Sequence, residues 1–163
     1  MTGHASAPRR SADEQARVDQ VLRDIFERQI VFNQVLGLQV LSVRHGDVRA
    51  RFDMKPELVG HPVYGRLHGG VISAALDAIG GLAGMVAIGE HHAHETAEQI
   101  QHRFARFGTI DLRVDFLRQG LGQRFDITTE VTRLGGRVVS TQMRLHNEDG
   151  KLLATGAAAY IVS

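Results

Sequence analysis

The sequence predicts an α+β fold in which an antiparallel sheet curls around one long apolar helix. Three observations lead there. The stretch from Gly70 to Ile88 is apolar, unalternating and too long for a strand. Segments of period-two hydrophobicity lie on both sides of it, as runs rather than alternating with helices, which favours an antiparallel sheet. The 163 residues, 43% hydrophobic and 23% charged, suit a single domain with a sizeable core.

Residues 1–10 are polar, with Pro8 and two arginines, and are expected to be a disordered tail ahead of one domain spanning 11–163. Ser11 and Glu14 fit a capping box. Val18, Val21, Leu22, Ile25, Phe26 and Ile30 then recur at three- and four-residue spacing, predicting an amphipathic N-terminal helix over 11–36 that Gly37 ends in the left-handed conformation. Leu38, Val40 and Val43, a turn at His45-Gly46-Asp47, and Val48, Ala50, Phe52 and Met54 predict a hairpin with one buried face. The loop Gly60-His61-Pro62-Val63-Tyr64-Gly65 leads to His68-Gly69-Gly70.

The central helix is predicted over 69–88. Asp77 is its only charged residue, and an ionised carboxylate is costly in apolar surroundings, so a functional reason is the first reading and a structural hydrogen bond the second. Gly80 and Gly84 lie four apart, so one helix face lacks side chains and a neighbour can come close. Residues 89–108 carry His91, His92, His94 and His102 and read as a loop plus a short helix. His94, Glu98 and His102 would share one helical face, but no fourth ligand stands out and no metal is expected.

Four strands follow. Their inward sets are Ile110, Leu112, Val114 and Phe116; Phe125, Ile127, Thr129 and Val131; Val139, Thr141, Met143 and Leu145; and a last run rich in small residues, Ala154, Gly156, Ala157, Ala158 and Ala159, suited to lying close against a helix. Gly135-Gly136 signals a hairpin between the second and third. An open sheet of this kind leaves edges, which predicts oligomerisation.

Composition narrows the function. Cysteine is absent, which excludes disulfide, thiolate and iron–sulfur chemistry. A net charge of +1 gives no reason to expect nucleic acid as partner. The chain has no apolar signal core at its N-terminus, and the helix interrupted by Asp77 and glycines reads as buried rather than membrane-inserted, so a cytoplasmic protein is expected.

With His68-Gly69-Gly70, Asp77 nine residues after the histidine on an apolar helix, and the later strand Thr109-Ile110-Asp111-Leu112-Arg113-Val114-Asp115-Phe116-Leu117, the chain resembles the hotdog-fold acyl-CoA thioesterases of the phenylacetyl-CoA thioesterase branch. The element order matches from about Gly37 to Val162. The resemblance implies a homodimer or a dimer of dimers and hydrolysis of acyl-CoA, with CoA present only as part of substrate and product and no other cofactor. Asp77 would be the general base or the nucleophile. The N–H of Gly69 would bind the thioester oxygen, His68 would shape the turn, and Thr109 would orient water. Gly70, Tyr64, Arg118, Arg133, Gly136 and Arg137 are the candidate substrate contacts, the arginines for the CoA phosphates. Related enzymes often carry an amide before the glycine turn; here His61 or Tyr64 stands in that loop. Ile100, Phe104 and Phe107 could line an acyl tunnel, which suggests medium or long chains. The alternatives are a non-catalytic acyl-CoA binding module of the same fold, or a hotdog dehydratase or hydratase.

The chemistry of the residues agrees. A helix N-terminus offers unpaired N–H groups and partial positive charge, the setting an oxyanion needs. At 1.5 Å per residue, Asp77 lies roughly 12 Å along the helix from Gly69. That is too far for both to touch one thioester carbon, so a neighbouring antiparallel helix would have to complete the site.

Overall fold

The computed structural model describes residues 8–162. α1 (Ala12–Asp24) leads through a π-helical turn (Ile25–Gln29) into α2 (Val31–Leu36). β1 (Gln39–Arg44) and β2 (Asp47–Asp53) form a hairpin around Gly46, whose φ is 79°. A 3-10 turn (Pro56–Leu58) and the short pair β3 (Val59–His61) and β4 (Arg66–Leu67) precede α3 (Gly69–His91). α4 (Ala97–Phe104) follows, then β5 (Gly108–Phe116), β6 (Arg124–Leu134), β7 (Val138–Asn147) and β8 (Leu152–Ile161). The large sheet is wholly antiparallel, in the order β1-β2-β6-β7-β8-β5.

α3 lies against the inner face of this sheet. Its 23 residues are long and apolar enough to cross a membrane, but most of the helix is buried as the core of the fold. The expected close approach is real. A Cβ at Gly80 would sit 2.4 Å from the Tyr160 hydroxyl, and one at Gly84 would sit 2.9 Å from Val139. In β8, a Cβ at Gly156 would meet Met143 at 3.0 Å and Leu76 at 3.3 Å. Small residues on both surfaces let the helix sink into the sheet.

The spacing had suggested one continuous N-terminal helix, but the helix is broken. At Ile30 the backbone becomes extended (φ −78°, ψ 97°), and its N–H reaches back five residues to Ile25 O at 3.0 Å. The Asn33 side-chain amide donates to Phe26 O at 2.9 Å, and that of Gln34 donates to Arg28 O. Two side chains thus satisfy carbonyls that the break would leave open. Gly37 ends α2 with φ 71°, as expected.

Two further expectations shift. Residues 1–7 of the predicted tail lie outside the described residues, but Arg9 and Arg10 are tied down. Arg9 makes a bidentate pair with Glu90 at 2.5 and 2.7 Å. Arg10 donates to the carbonyls of Gly89, His92 and Ala93 at the end of α3, where helix carbonyls favour a cation. Glu14 makes only half of a capping box. Its N–H donates to Ser11 Oγ at 3.2 Å, while its carboxylate accepts instead from Ala97 N–H at 2.7 Å and caps α4. Thr96 and Gln99 add a complete capping box at that helix.

The sheet's two edges differ. At β1, Glu27 accepts from Val40 N–H at 2.5 Å and Arg23 donates to Val40 O at 2.5 Å, so the N-terminal helix blunts that edge. β5 forms the other edge, and Ile110 and Phe116 on it are 57% and 55% exposed.

Candidate active site

His68 caps the start of α3. Its Nδ1 accepts from Gly70 N–H at 2.8 Å, and its carbonyl accepts from Val71 and Ile72 N–H. Among the described residues this leaves the N–H of Gly69 as the first helical donor without a protein partner. That cap uses a lone pair on Nδ1, so the His68 ring helps to hold the turn. The turn is held from outside too. His68 N–H donates to Leu58 O at 2.9 Å, and a Cβ at Gly60 would lie 2.4 Å from His68 Cα. Gly60 is therefore a requirement of the site that the sequence did not reveal.

Asp77, half-buried two turns further on, accepts from the Thr109 hydroxyl at 2.9 Å through Oδ1. Plain alternation in β5 would have sent Thr109 to the outer face, since Leu112 and Val114 point inward. The register with β8 runs Thr109↔Tyr160, then Asp111↔Ala159, so Ile110 is an extra residue. This bulge turns Thr109 to the helix side and leaves Ile110 exposed, which corrects the expectation that Ile110 is a core residue. Tyr160, opposite Thr109 and buried, donates its hydroxyl to Asp77 O at 2.8 Å. Burial, with the nearby Asp77 carboxylate, pushes the Tyr160 phenol well above its ordinary value, so it stays a neutral donor.

Two hollows flank these groups. One, of about 270 Å³, opens beside Asp77 and Thr109 and runs between α3, the helix break and the segment after α4. Phe104 and Phe107 line it as expected. Ile100 does not: it is fully buried in the core. Phe26, Ile30, Phe32 and Asn33 also line it, because the break at Ile30 wraps that segment around the opening. The other hollow, about 500 Å³ and wide open, contains Gly69 with Arg66, Phe116 and Arg118.

The remaining candidates divide between the two ends of the fold. Arg118, which also donates to Leu152 O at 2.8 Å, shares the Gly69 hollow. Arg66 joins it there and lies 5.8 Å over the Tyr64 ring; the sequence reading passed over it. Tyr64 packs on His61, with ring centroids 4.8 Å apart. Arg133, Gly136 and Arg137 sit at the β6–β7 hairpin, and Gly136 shares a hollow with Ile88 and His91 at the far end of α3. A 23-residue helix spans roughly 35 Å, so these three do not converge with Gly69 of the same protomer.

The histidine-rich segment is also rearranged. His94 precedes α4, so it does not share a helical face with Glu98 and His102. His92, His94 and Glu95 instead bring their ligand atoms within 4.8 Å of one another. Arg103 fills that cluster, binding both Glu95 oxygens at 2.5 and 2.7 Å and approaching His92 Nδ1 at 3.3 Å. Its hydrogen bonds hold Glu95 below the usual carboxylate range, and its guanidinium takes both Glu95 oxygens.

Comparison with known proteins agrees with this architecture. Residues 64–154 match the family model of the thioesterase superfamily. The chain is 37% identical to the medium/long-chain acyl-CoA thioesterase YigI of Salmonella typhimurium, over 85% of this chain and 90% of that protein. The corresponding Escherichia coli K12 protein is 35% identical over the same shares. A crystal structure from Shewanella oneidensis, described as related to the thioesterase superfamily, superposes with a TM-score of 0.88 at 38% identity, covering 94% of this chain and all of that one. An antiparallel sheet around a long helix, a glycine turn at that helix's start and a family match that runs from this turn through the helix into the later strands make this chain a member of the thioesterase superfamily with its hotdog fold.

Proposed function

We propose that this thioesterase hydrolyses acyl-CoA thioesters with medium or long acyl chains, at a site that two protomers complete together. The observation that carries the reading is the Asp77–Thr109 pair at the mouth of an apolar pocket. The names of the relatives in Salmonella and Escherichia support the substrate class.

In this reading Thr109 holds one oxygen of Asp77, and the other is free to take a proton from water. The hydroxide equivalent attacks the thioester carbon, and the carbonyl oxygen gains its charge against a Gly69 N–H backed by the helix dipole. The carbon–sulfur bond then breaks. The proton held by Asp77 passes to the departing thiolate, giving free acid and CoA thiol. Arg66 and Arg118 are the cations that share a hollow with Gly69 and are suited to phosphate.

The geometry of β5 supports the shared site. Its exposed edge favours pairing with a second copy, and a two-fold axis makes that pairing antiparallel. Centred on the strand, it brings Phe116 of one protomer beside Thr109 of the other. A Cβ on Gly69 would lie 3.5 Å from the Phe116 ring, so the glycine turn travels with Phe116 toward the partner's Asp77. The spacing that separates the two groups within one chain is then closed across the pair.

The test is Asp77→Asn, which keeps shape and removes the base. Hydrolysis of acyl-CoA is expected to fall by about 10²–10⁴-fold, with the oligomer unchanged by size-exclusion chromatography. Full activity would refute the assignment and favour a carboxylate that only supports the helix.

A further inference from the structure

The pocket beside Asp77 has a built end. Along α3 its floor consists of Ala74, Ala78 and Gly81, residues spaced four and three apart on one helical face. Small side chains there leave a groove that starts at the carboxylate. Gly84 would extend the same floor by another turn, but Phe107 lies across it. A Cβ at Gly81 would come within 3.4 Å of the Phe107 ring, and one at Gly84 within 3.2 Å. The far edge of the ring therefore sits against the two glycines and stops the groove about one turn beyond Asp77.

Phe107 is fixed in that position. Its ring stacks on Tyr160, with centroids 5.2 Å apart and 13° between planes, and on Phe104 at 6.2 Å and 15°. Phe104 in turn meets the edge of Phe26 at 5.7 Å and 73°. Phe26 is held by the helix break, since its carbonyl accepts from Asn33. These rings form a continuous wall between the groove and the far half of α3.

We propose that Phe107 is the chain-length stop for the acyl group. This rests on the reading of Asp77 as the hydrolytic carboxylate. The acyl chain runs from Asp77 over Ala78 and Gly81 and ends against the Phe107 ring, with Phe104 and Phe26 behind it. The pocket, of about 270 Å³ and closed by the ring about one turn past Asp77, suits a medium chain better than a long one. That places the optimum in the medium-chain range. Removing the ring joins the groove to the floor at Gly84 and lets a longer chain lie on the helix.

The experiment measures kcat/KM for straight-chain acyl-CoA substrates from butanoyl to palmitoyl, and reads the ratio of long to medium chains within each variant, so that a change in overall activity cancels. Phe107→Ala is expected to move the optimum to longer chains and to raise the palmitoyl-to-octanoyl ratio on the order of tenfold or more, since each further methylene buried is worth about fourfold. Gly81→Ala adds a methyl to the floor and is expected to move the optimum the opposite way. If Phe107→Ala lacks a cooperative melting transition, Phe107→Leu is read in its place, with a smaller shift in the same direction. An unchanged profile in the folded Phe107 variant, or shifts of the same sign in the Phe107 and Gly81 variants, would overturn the proposal. Hydrolysis retained by Asp77→Asn would instead remove the reading beneath it, whatever the profiles show.

Discussion

The Thr109 hydroxyl reaches Asp77 Oδ1 at 2.9 Å across 32 residues of sequence, from an edge strand to the central helix. That hydrogen bond leaves Asp77 one oxygen fixed and one free. Thr109→Val removes the donor and keeps the shape. We expect kcat to drop by about tenfold or more with KM little changed, and Thr109→Ser to restore most of it, because positioning of a catalytic base contributes on this scale. Steady-state kinetics on one acyl-CoA substrate checks both variants. Equal kcat in Thr109→Val and wild type would make Thr109 an ordinary strand residue.

A shared site makes a stronger prediction. Asp77→Asn disables one half, and Gly69→Val, whose side chain would crowd the approach to its own N–H, disables the other. Each variant alone is inactive. Unfolded together and refolded as a mixture, half of the dimers are mixed and each regains one intact site, so activity recovers to about a quarter of wild type. Absence of recovery, with mixed dimers demonstrated by mass spectrometry, would place both groups in one protomer.

The contact between α3 and β8 is a stability test. A Cβ at Gly80 would fall 2.4 Å from the Tyr160 hydroxyl, 2.9 Å from Met143 Sδ and 2.9 Å from Thr141 Oγ1. Alanine normally gains about 1 kcal/mol over glycine in a helix interior. Here overpacking wins, and Gly80→Ala is expected to destabilise by about 1–3 kcal/mol in urea unfolding. The same substitution in a Tyr160→Phe background should cost less, since the nearest clashing atom is gone.

His92 gives the acid limb of stability a predictable shape. Burial first, then the neighbouring Arg103, holds its imidazole below the ordinary histidine value. The folded state thus resists a proton that the unfolded chain accepts below about pH 6.5. The stability this contributes is complete above that pH and is lost as pH falls through the folded value. Unfolding free energies measured in pH steps should decline in that window for wild type and be flatter in His92→Gln. Glu95, depressed by Arg103, adds a second loss lower down, beneath the ordinary glutamate range of about 4.3.

Much of the fold was legible because its cues are local. Alternation marked the strands, the left-handed Gly37 ended the helical segment, and the apolar run with its single acid announced the buried helix. The helix break was not legible, since the stripe through Ile25, Phe26 and Ile30 reads as one helix. Only the side chains of Asn33 and Gln34, folded back onto free carbonyls, show that the chain turns there.

The sequence by itself determined the pieces of the site: a glycine turn opening an apolar helix, and one carboxylate about two turns along it. Their separation along the helix already argued for a second protomer. What brings Thr109 to Asp77 is a single extra residue in β5, Ile110, which flips one side chain to the inner face. What limits the pocket is Phe107, laid on two glycines from outside the helix. Periodicity records which face of an element is apolar. Register and close approach are set by partners distant in sequence, so the bulge, the ring on the helix and the hydrogen bond from Thr109 to Asp77 were decided only when the sheet closed around α3.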